Sequence, residues 1–212
     1  MTLPYFLAPA VDSDAPGVVV VMEAWGITPQ LLRVCQRLAA EGYTAVAPDI
    51  YWRFGGSDPA AWERNVANLR HRDALADIDA AIAVLRERGA RKVGITGFCM
   101  GGAYTYAAAV HSDVDAAVSF YGGGIASFLR EPRCPILMFF GDQDAFIPMS
   151  EVEAIERHHR SGSVVVYEGA DHGFFRDGHE AYHEAAAQDA WGRLLALFSE
   201  HLLGGSGRAG PR

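Results

Sequence analysis

Cysteine is scarce in this chain of 212 residues, basic charge is in the minority, and no long apolar run occurs. The three cysteines, Cys35, Cys99 and Cys134, are odd in number and far apart. Such usage excludes a disulfide framework and the paired spacing of zinc or thioredoxin-type motifs, and it points to free thiols in a reducing compartment. Lysine and arginine total 18 against 26 acidic residues, for a net charge of −8. Nucleic acid is therefore not an expected partner, because binding phosphates requires basic surface. No apolar stretch approaches the roughly 20 residues of a membrane-spanning helix. Met1-Thr2-Leu3-Pro4 shows no basic segment leading into an apolar core, so no signal peptide is expected. The expectation is a cytoplasmic protein with neither membrane nor nucleic acid as partner. Internal repeats and long linkers are also lacking. A single domain over residues 1–203 follows, with the glycine-rich 204–212 (GGSGRAGPR) as a flexible tail.

Half of the residues are hydrophobic, ample for one α/β core. Short apolar runs, among them Val18 to Met22, Tyr43 to Ala47, Val93 to Thr96, Asp115 to Phe120, Pro135 to Phe140 and Val164 to Tyr167, alternate with helix-compatible segments. That alternation predicts a mostly parallel sheet with helices on both faces. Leu3 to Leu7 reads as a short edge strand. Thr28 and Pro29 open a helix that Gly42 stops, with Cys35 on its core-facing stripe. Asp58-Pro59 starts a second helix carrying Arg64 toward Arg70, and Asp73 to Arg88 forms a third. The last helix spans about Ala181 to Leu203.

The chain is organised around Lys92 to Gly102, K-V-G-I-T-G-F-C-M-G-G. A strand runs into a tight glycine turn with Cys99 at its apex, and a run of small residues follows. This matches the G-x-S-x-G nucleophile elbow with cysteine in place of serine. The glycines permit close approach of strand and helix, and the helix N-terminus behind Cys99 favours a thiolate. The plainer alternative is a glycine turn around an inert thiol.

Ligand sites in such sheets lie beyond the carboxyl ends of the strands. Glu23, Cys99, Tyr121, Asp144 and His172 all fall at predicted strand ends. The order nucleophile, acid, histidine is that of an α/β-hydrolase triad. Cys99 would attack, His172 would carry the proton, and Asp144 or Asp142 would hold the imidazole. The backbone N–H groups of Met100 and Ala24 would form an oxyanion hole. Trp25, Tyr51, Trp52, Phe54 and Tyr121 suggest an apolar pocket for a small planar substrate, with Trp25 and Tyr121 as contacts.

The segments MEAWG (22–26), APDIY (47–51), DIDAAI (77–82), GFCMGG (97–102), FYGGG (120–124), GDQDAFIP (141–148) and ADHGFFR (170–176) together resemble the dienelactone hydrolase family. The resemblance covers nearly the whole chain, from Val18 to about Leu203. It implies the α/β-hydrolase fold, hydrolysis of a carboxylate-bearing enol-lactone, and Asp144 as the acid. It also implies that Glu23 holds the resting cysteine and that Arg176 grips the substrate carboxylate. A carboxylate beside a thiol disfavours thiolate, so a substrate that displaces Glu23 would generate the nucleophile only when present. The family's second carboxylate-binding arginine lies where this chain is shorter. Arg64 is the candidate there, with Arg53 and Arg70 as rivals. No cofactor and no metal are expected, and the protein is expected to be a monomer or homodimer.

Two other readings compete. His179-Glu180-Ala181-Tyr182-His183 fits H-E-x-x-H, which binds zinc when its histidines share one helix face. A non-catalytic small-molecule binder of the same fold is the other.

Overall fold

The computed structural model describes residues 3–159 and 162–204. The expectation of a flexible tail falls, beyond Gly204, on residues outside this set. Seven strands form one sheet in the order β1-β3-β2-β4-β5-β6-β7. They are β1 Tyr5–Ala8, β2 Gly17–Val21, β3 Thr44–Pro48, β4 Val93–Phe98, β5 Ala116–Phe120, β6 Ile136–Gly141 and β7 Val164–Tyr167. β1 pairs antiparallel with β3 at one edge, and every other pairing is parallel. The reason is legible in the strands themselves. β2, β4 and β5 are buried at every position, as strands covered on both faces must be. The edge strands β1 and β7 carry partly exposed residues.

Among the described residues six α-helices cover the sheet: α1 Pro29–Ala40, α2 Trp62–Asn68, α3 His71–Glu87, α4 Met100–His111, α5 Met149–His158 and α6 Glu184–Leu202. Thr28 caps α1 by accepting the Leu31 N–H at 3.3 Å, with Pro29 in the first turn. Cys35 is fully buried on this helix, and burial pushes its thiol up to about 12. Among the described residues no helix is long and apolar enough to cross a membrane.

Three helix boundaries differ from the expectation. The segment after Asp58 forms a 3₁₀ turn, Pro59–Ala61, and then the short α2, which stops at Asn68. Leu69 and Arg70 adopt extended backbone, and this two-residue break separates α2 from α3. α3 therefore begins at His71. α6 begins at Glu184, three residues later than expected, because the His183 ring caps it by accepting the Ala186 N–H at 3.3 Å.

Candidate active site

The turn between β4 and α4 is shaped by backbone crowding. Cys99 sits at φ 54°, ψ −120°, a conformation that non-glycine residues adopt only under strain. A Cβ on Gly97 would lie 2.3 Å from the Gly101 carbonyl oxygen, and one on Gly101 only 2.4 Å from that of Val21. These two positions exclude every side chain, so α4 presses its first turn directly onto the ends of β2 and β4. Met100 is the first helical residue, and its N–H has no partner within the helix.

His172 follows β7 and meets Cys99 at the edge of one cavity. Its Nδ1 lies 2.8 Å from Asp144 Oδ2. The Asp144 side chain is fully buried after β6. Its other oxygen accepts the N–H groups of Phe146 at 2.8 Å and Ile147 at 3.1 Å, which fixes the carboxylate toward the ring. Asp142 accepts the Gly169 N–H at 2.7 Å and ties down the loop after β7. The two acids thus separate, and the one facing His172 is Asp144.

Burial alone would lower the basicity of His172. Hydrogen bonds and charge from Asp144 and Cys99 outweigh it and push the ring up to about 10. Folding thus holds a proton on a ring that releases it near pH 6.5 in the unfolded chain. The stability this contributes is complete below pH 6.5 and fades as pH rises through about 10. An NMR titration of His172 is expected to show a midpoint near 10, and Cys99→Ala should lower it by removing one source of the raised value. A midpoint unmoved by that substitution would leave Asp144 alone responsible.

Glu23, just past β2, is buried. Its Oε2 accepts Arg176 Nε at 3.1 Å and Nη2 at 2.9 Å, and its Oε1 accepts the Tyr121 hydroxyl at 3.3 Å. The expected partnership of Glu23 with the resting Cys99 is not among its hydrogen bonds. Arg176 and Tyr121 occupy both oxygens, and Cys99 acts on His172 instead. Tyr121 also differs from expectation. It is fully buried at φ 38° and does not line the cavity; it supports Glu23 from beneath.

A cavity of about 720 Å³ opens over Cys99 and His172. Ala24, Met100, Trp25 and Arg176 border it on the Glu23 side, and Phe146 and Ile147 close it beside His172. The N–H groups of Ala24 and Met100 donate to no carbonyl among the described residues. Tyr51, fully buried, donates its hydroxyl to the Ala24 carbonyl at 3.0 Å and touches Met100 Sδ at 3.6 Å. Tyr51, Trp52 and Phe54 do not line the cavity, so of the five aromatics expected there only Trp25 does.

Arg64 is exposed on α2 and also lies outside the lining. Arg53 pairs with Asp77, which also accepts the Trp52 Nε1–H at 3.2 Å. Arg70 is exposed and precedes α3. The same segment instead contributes Trp62 and His71 to the cavity, and α4 adds Tyr104. The sequence reading missed these three. The break at Leu69-Arg70 starts α3 at His71, whose exposed ring borders the cavity mouth, and no spacing in the sequence marks that break.

His179 to His183 lies in turns ahead of α6 and not on a helix. The i, i+4 stacking that zinc would need is absent there, and both rings bond neighbouring backbone N–H groups. Among the described residues no group of three or more His, Cys, Asp or Glu side chains is gathered as a metal site would require.

The sequence model of the dienelactone hydrolase family matches residues 4–202. A Salmonella typhimurium protein provisionally named a carboxymethylenebutenolidase is 34% identical, over 93% of this chain and 82% of its own. One of the same provisional name from Synechocystis is also 34% identical, over 93% of this chain and 91% of its own. A crystal structure from Klebsiella pneumoniae, described provisionally as a dienelactone hydrolase, superposes with a TM-score of 0.84 at 33% identity, covering 94% of this chain and 93% of that one. With a mostly parallel sheet, an elbow after β4 and a match from one end of the fold to the other, the chain belongs to the dienelactone hydrolase family, carboxylic ester hydrolases of the α/β-hydrolase fold.

Proposed function

We propose that this protein cleaves a small ester or enol-lactone through a cysteine acyl-enzyme. The observation that carries the reading is the meeting, at one cavity, of Cys99 on a strained turn and His172 held by Asp144 at 2.8 Å. The Cys99 thiolate adds to the substrate carbonyl, and its proton resides on His172. The tetrahedral oxyanion accepts from the N–H groups of Ala24 and Met100. Collapse breaks the ester C–O bond, and His172 delivers its proton to the departing oxygen. Water, deprotonated by His172, then attacks the thioester and releases the acid and Cys99. Asp144 stabilises the imidazolium throughout. The test is loss of dienelactone absorbance with wild-type protein and with Cys99→Ala. Turnover by the first and none by the second supports the reading. A folded wild type inactive on dienelactone, simple esters and thioesters would move it to a non-catalytic binder.

Arg176 is the proposed contact for a substrate carboxylate, which would replace Glu23 on the guanidinium. Charge-assisted hydrogen bonds contribute about 1.5–3 kcal/mol. Arg176→Gln is therefore expected to reduce the preference for a carboxylate-bearing lactone over its methyl ester by about 10- to 100-fold in kcat/KM. An unchanged preference would place the carboxylate elsewhere. The unpaired cysteines suit a reducing compartment, and we assign the cytoplasm on that ground.

Tyr51 is a positioning residue in this scheme, because one hydroxyl ties the Ala24 loop to the start of α4. Tyr51→Phe is expected to lower kcat about tenfold with KM little changed, as loss of one positioning hydrogen bond is about 1–1.5 kcal/mol. A shift confined to KM would assign Tyr51 to binding instead.

A further inference from the structure

The part of the cavity away from Glu23 and Arg176 is larger than a small lactone needs. A site of about 720 Å³ accommodates a drug-sized molecule, and a compact lactone held between Cys99 and Arg176 leaves much of it empty. The remaining wall is aromatic. The His71 ring stacks on Tyr104 with centroids 5.3 Å apart and 27° between planes, and Phe128 meets His71 edge-on at 6.2 Å. Trp62 packs on Trp25 at 4.8 Å. Such faces favour a planar ring as occupant.

The charge on this wall narrows the occupant further. The charged groups of the cavity lining are Arg176, paired with Glu23, and His172, paired with Asp144, and Trp62, His71, Tyr104 and Phe128 add no lysine, arginine, aspartate or glutamate to them. A charged ring substituent would therefore find no ion-pair partner among these four residues. Uncharged hydrogen-bonding groups are present, however. The hydroxyls of Tyr51, Tyr106 and Tyr121 are engaged by Ala24, Arg130 and Glu23. Tyr104 lines the cavity, and its hydroxyl has no such partner among the described residues. The ring nitrogens of His71 are likewise without a partner among the described residues. A phenol and an imidazole stacked on one wall supply a donor and an acceptor for one hydroxyl.

We propose that Trp62, His71, Tyr104 and Phe128 form a recognition site for an uncharged aromatic ring bearing a hydroxyl, so that the substrates include hydroxyaryl esters. This rests on the hydrolase reading for its reaction, but the ring site can be tested apart from it. The first comparison is 4-hydroxyphenyl acetate against phenyl acetate, whose leaving groups are of nearly equal acidity. Wild-type protein is expected to favour the hydroxylated ester about tenfold in kcat/KM, mainly through KM, the size of one hydrogen bond. Tyr104→Phe, which keeps the packed ring, should remove most of that preference, and Tyr104→Phe with His71→Ala should bring the ratio to one. A wild-type ratio near one, or a ratio unchanged in the variants, overturns the proposal. The second comparison needs no turnover. Quenching of tryptophan fluorescence by the unreactive pair 4-hydroxyacetophenone and acetophenone should show about tenfold tighter binding of the hydroxylated ring, lost in the double variant. If neither ester is hydrolysed but this difference appears, the ring site stands and the hydrolase reading fails. Equal binding of the two ketones overturns the ring site whatever the esters do.

Discussion

Cys99→Ala is expected to leave a folded protein whose ester hydrolysis falls by at least ~10⁴-fold, the scale on which removal of a nucleophile acts. Alanine keeps the Cβ, so the strained backbone at φ 54° is unchanged and only the sulfur is lost. Stability should stay within about 0.5 kcal/mol of wild type. Cys99→Gly separates the two roles of this position. It relieves the positive φ and should raise stability by about 1 kcal/mol or more, while hydrolysis disappears as in the alanine variant. Denaturant midpoints and initial rates on the same preparations check both. Retention of more than a tenth of the activity in Cys99→Ala would remove this residue from the role of nucleophile. A Cys99→Gly variant no more stable than Cys99→Ala would show that the turn is not strained.

Gly101→Ala is expected to be strongly destabilising. Its Cβ would lie 2.4 Å from the Val21 carbonyl oxygen and 2.6 Å from that of Met22. Both atoms belong to backbone at the end of the central strand β2, which cannot step aside as a flexible side chain would. The first turn of α4 would have to lift off β2, taking Met100 and the proposed oxyanion amides with it. A loss of about 3 kcal/mol or more is expected, which corresponds to roughly 6–12 °C in Tm for a chain of this size. Gly192 is exposed within α6, and a Cβ there would meet nothing within 4 Å. Gly192→Ala is therefore the control and should stabilise by about 1 kcal/mol through helix propensity. A Gly101→Ala protein with unchanged Tm and activity would mean that the contact between α4 and β2 is not close.

Much of this molecule is dictated locally and so is open to sequence reading. Runs such as Val18 to Val21, apolar at every position, can only be strands covered on both faces, and the segments between them can only be their crossovers. The glycines around Cys99 announce a turn at which side chains do not fit. The strand ends bring Glu23, Cys99, Asp144 and His172 to one edge of the sheet, because parallel strands place all their carboxyl ends on the same side.

What the order of residues leaves open is which polar groups pair once they arrive there. Asp142 and Asp144 are equivalent on paper. The loop after β7 takes Asp142 through the Gly169 N–H, and only then is Asp144 the partner of His172. Tyr121 stands at a strand end like the others, yet its hydroxyl meets Glu23 and its ring packs edge-on against His172 at 5.0 Å without lining the cavity. Arg53 and Arg64 lie in the segment where a substrate-binding arginine was expected. One is held by Asp77, and the other is carried to the surface by a helix that ends early. Trp62, His71 and Tyr104 take that place because α2, α3 and α4 converge over Cys99. That convergence depends on packing between residues distant in the chain, which neither periodicity nor spacing encodes.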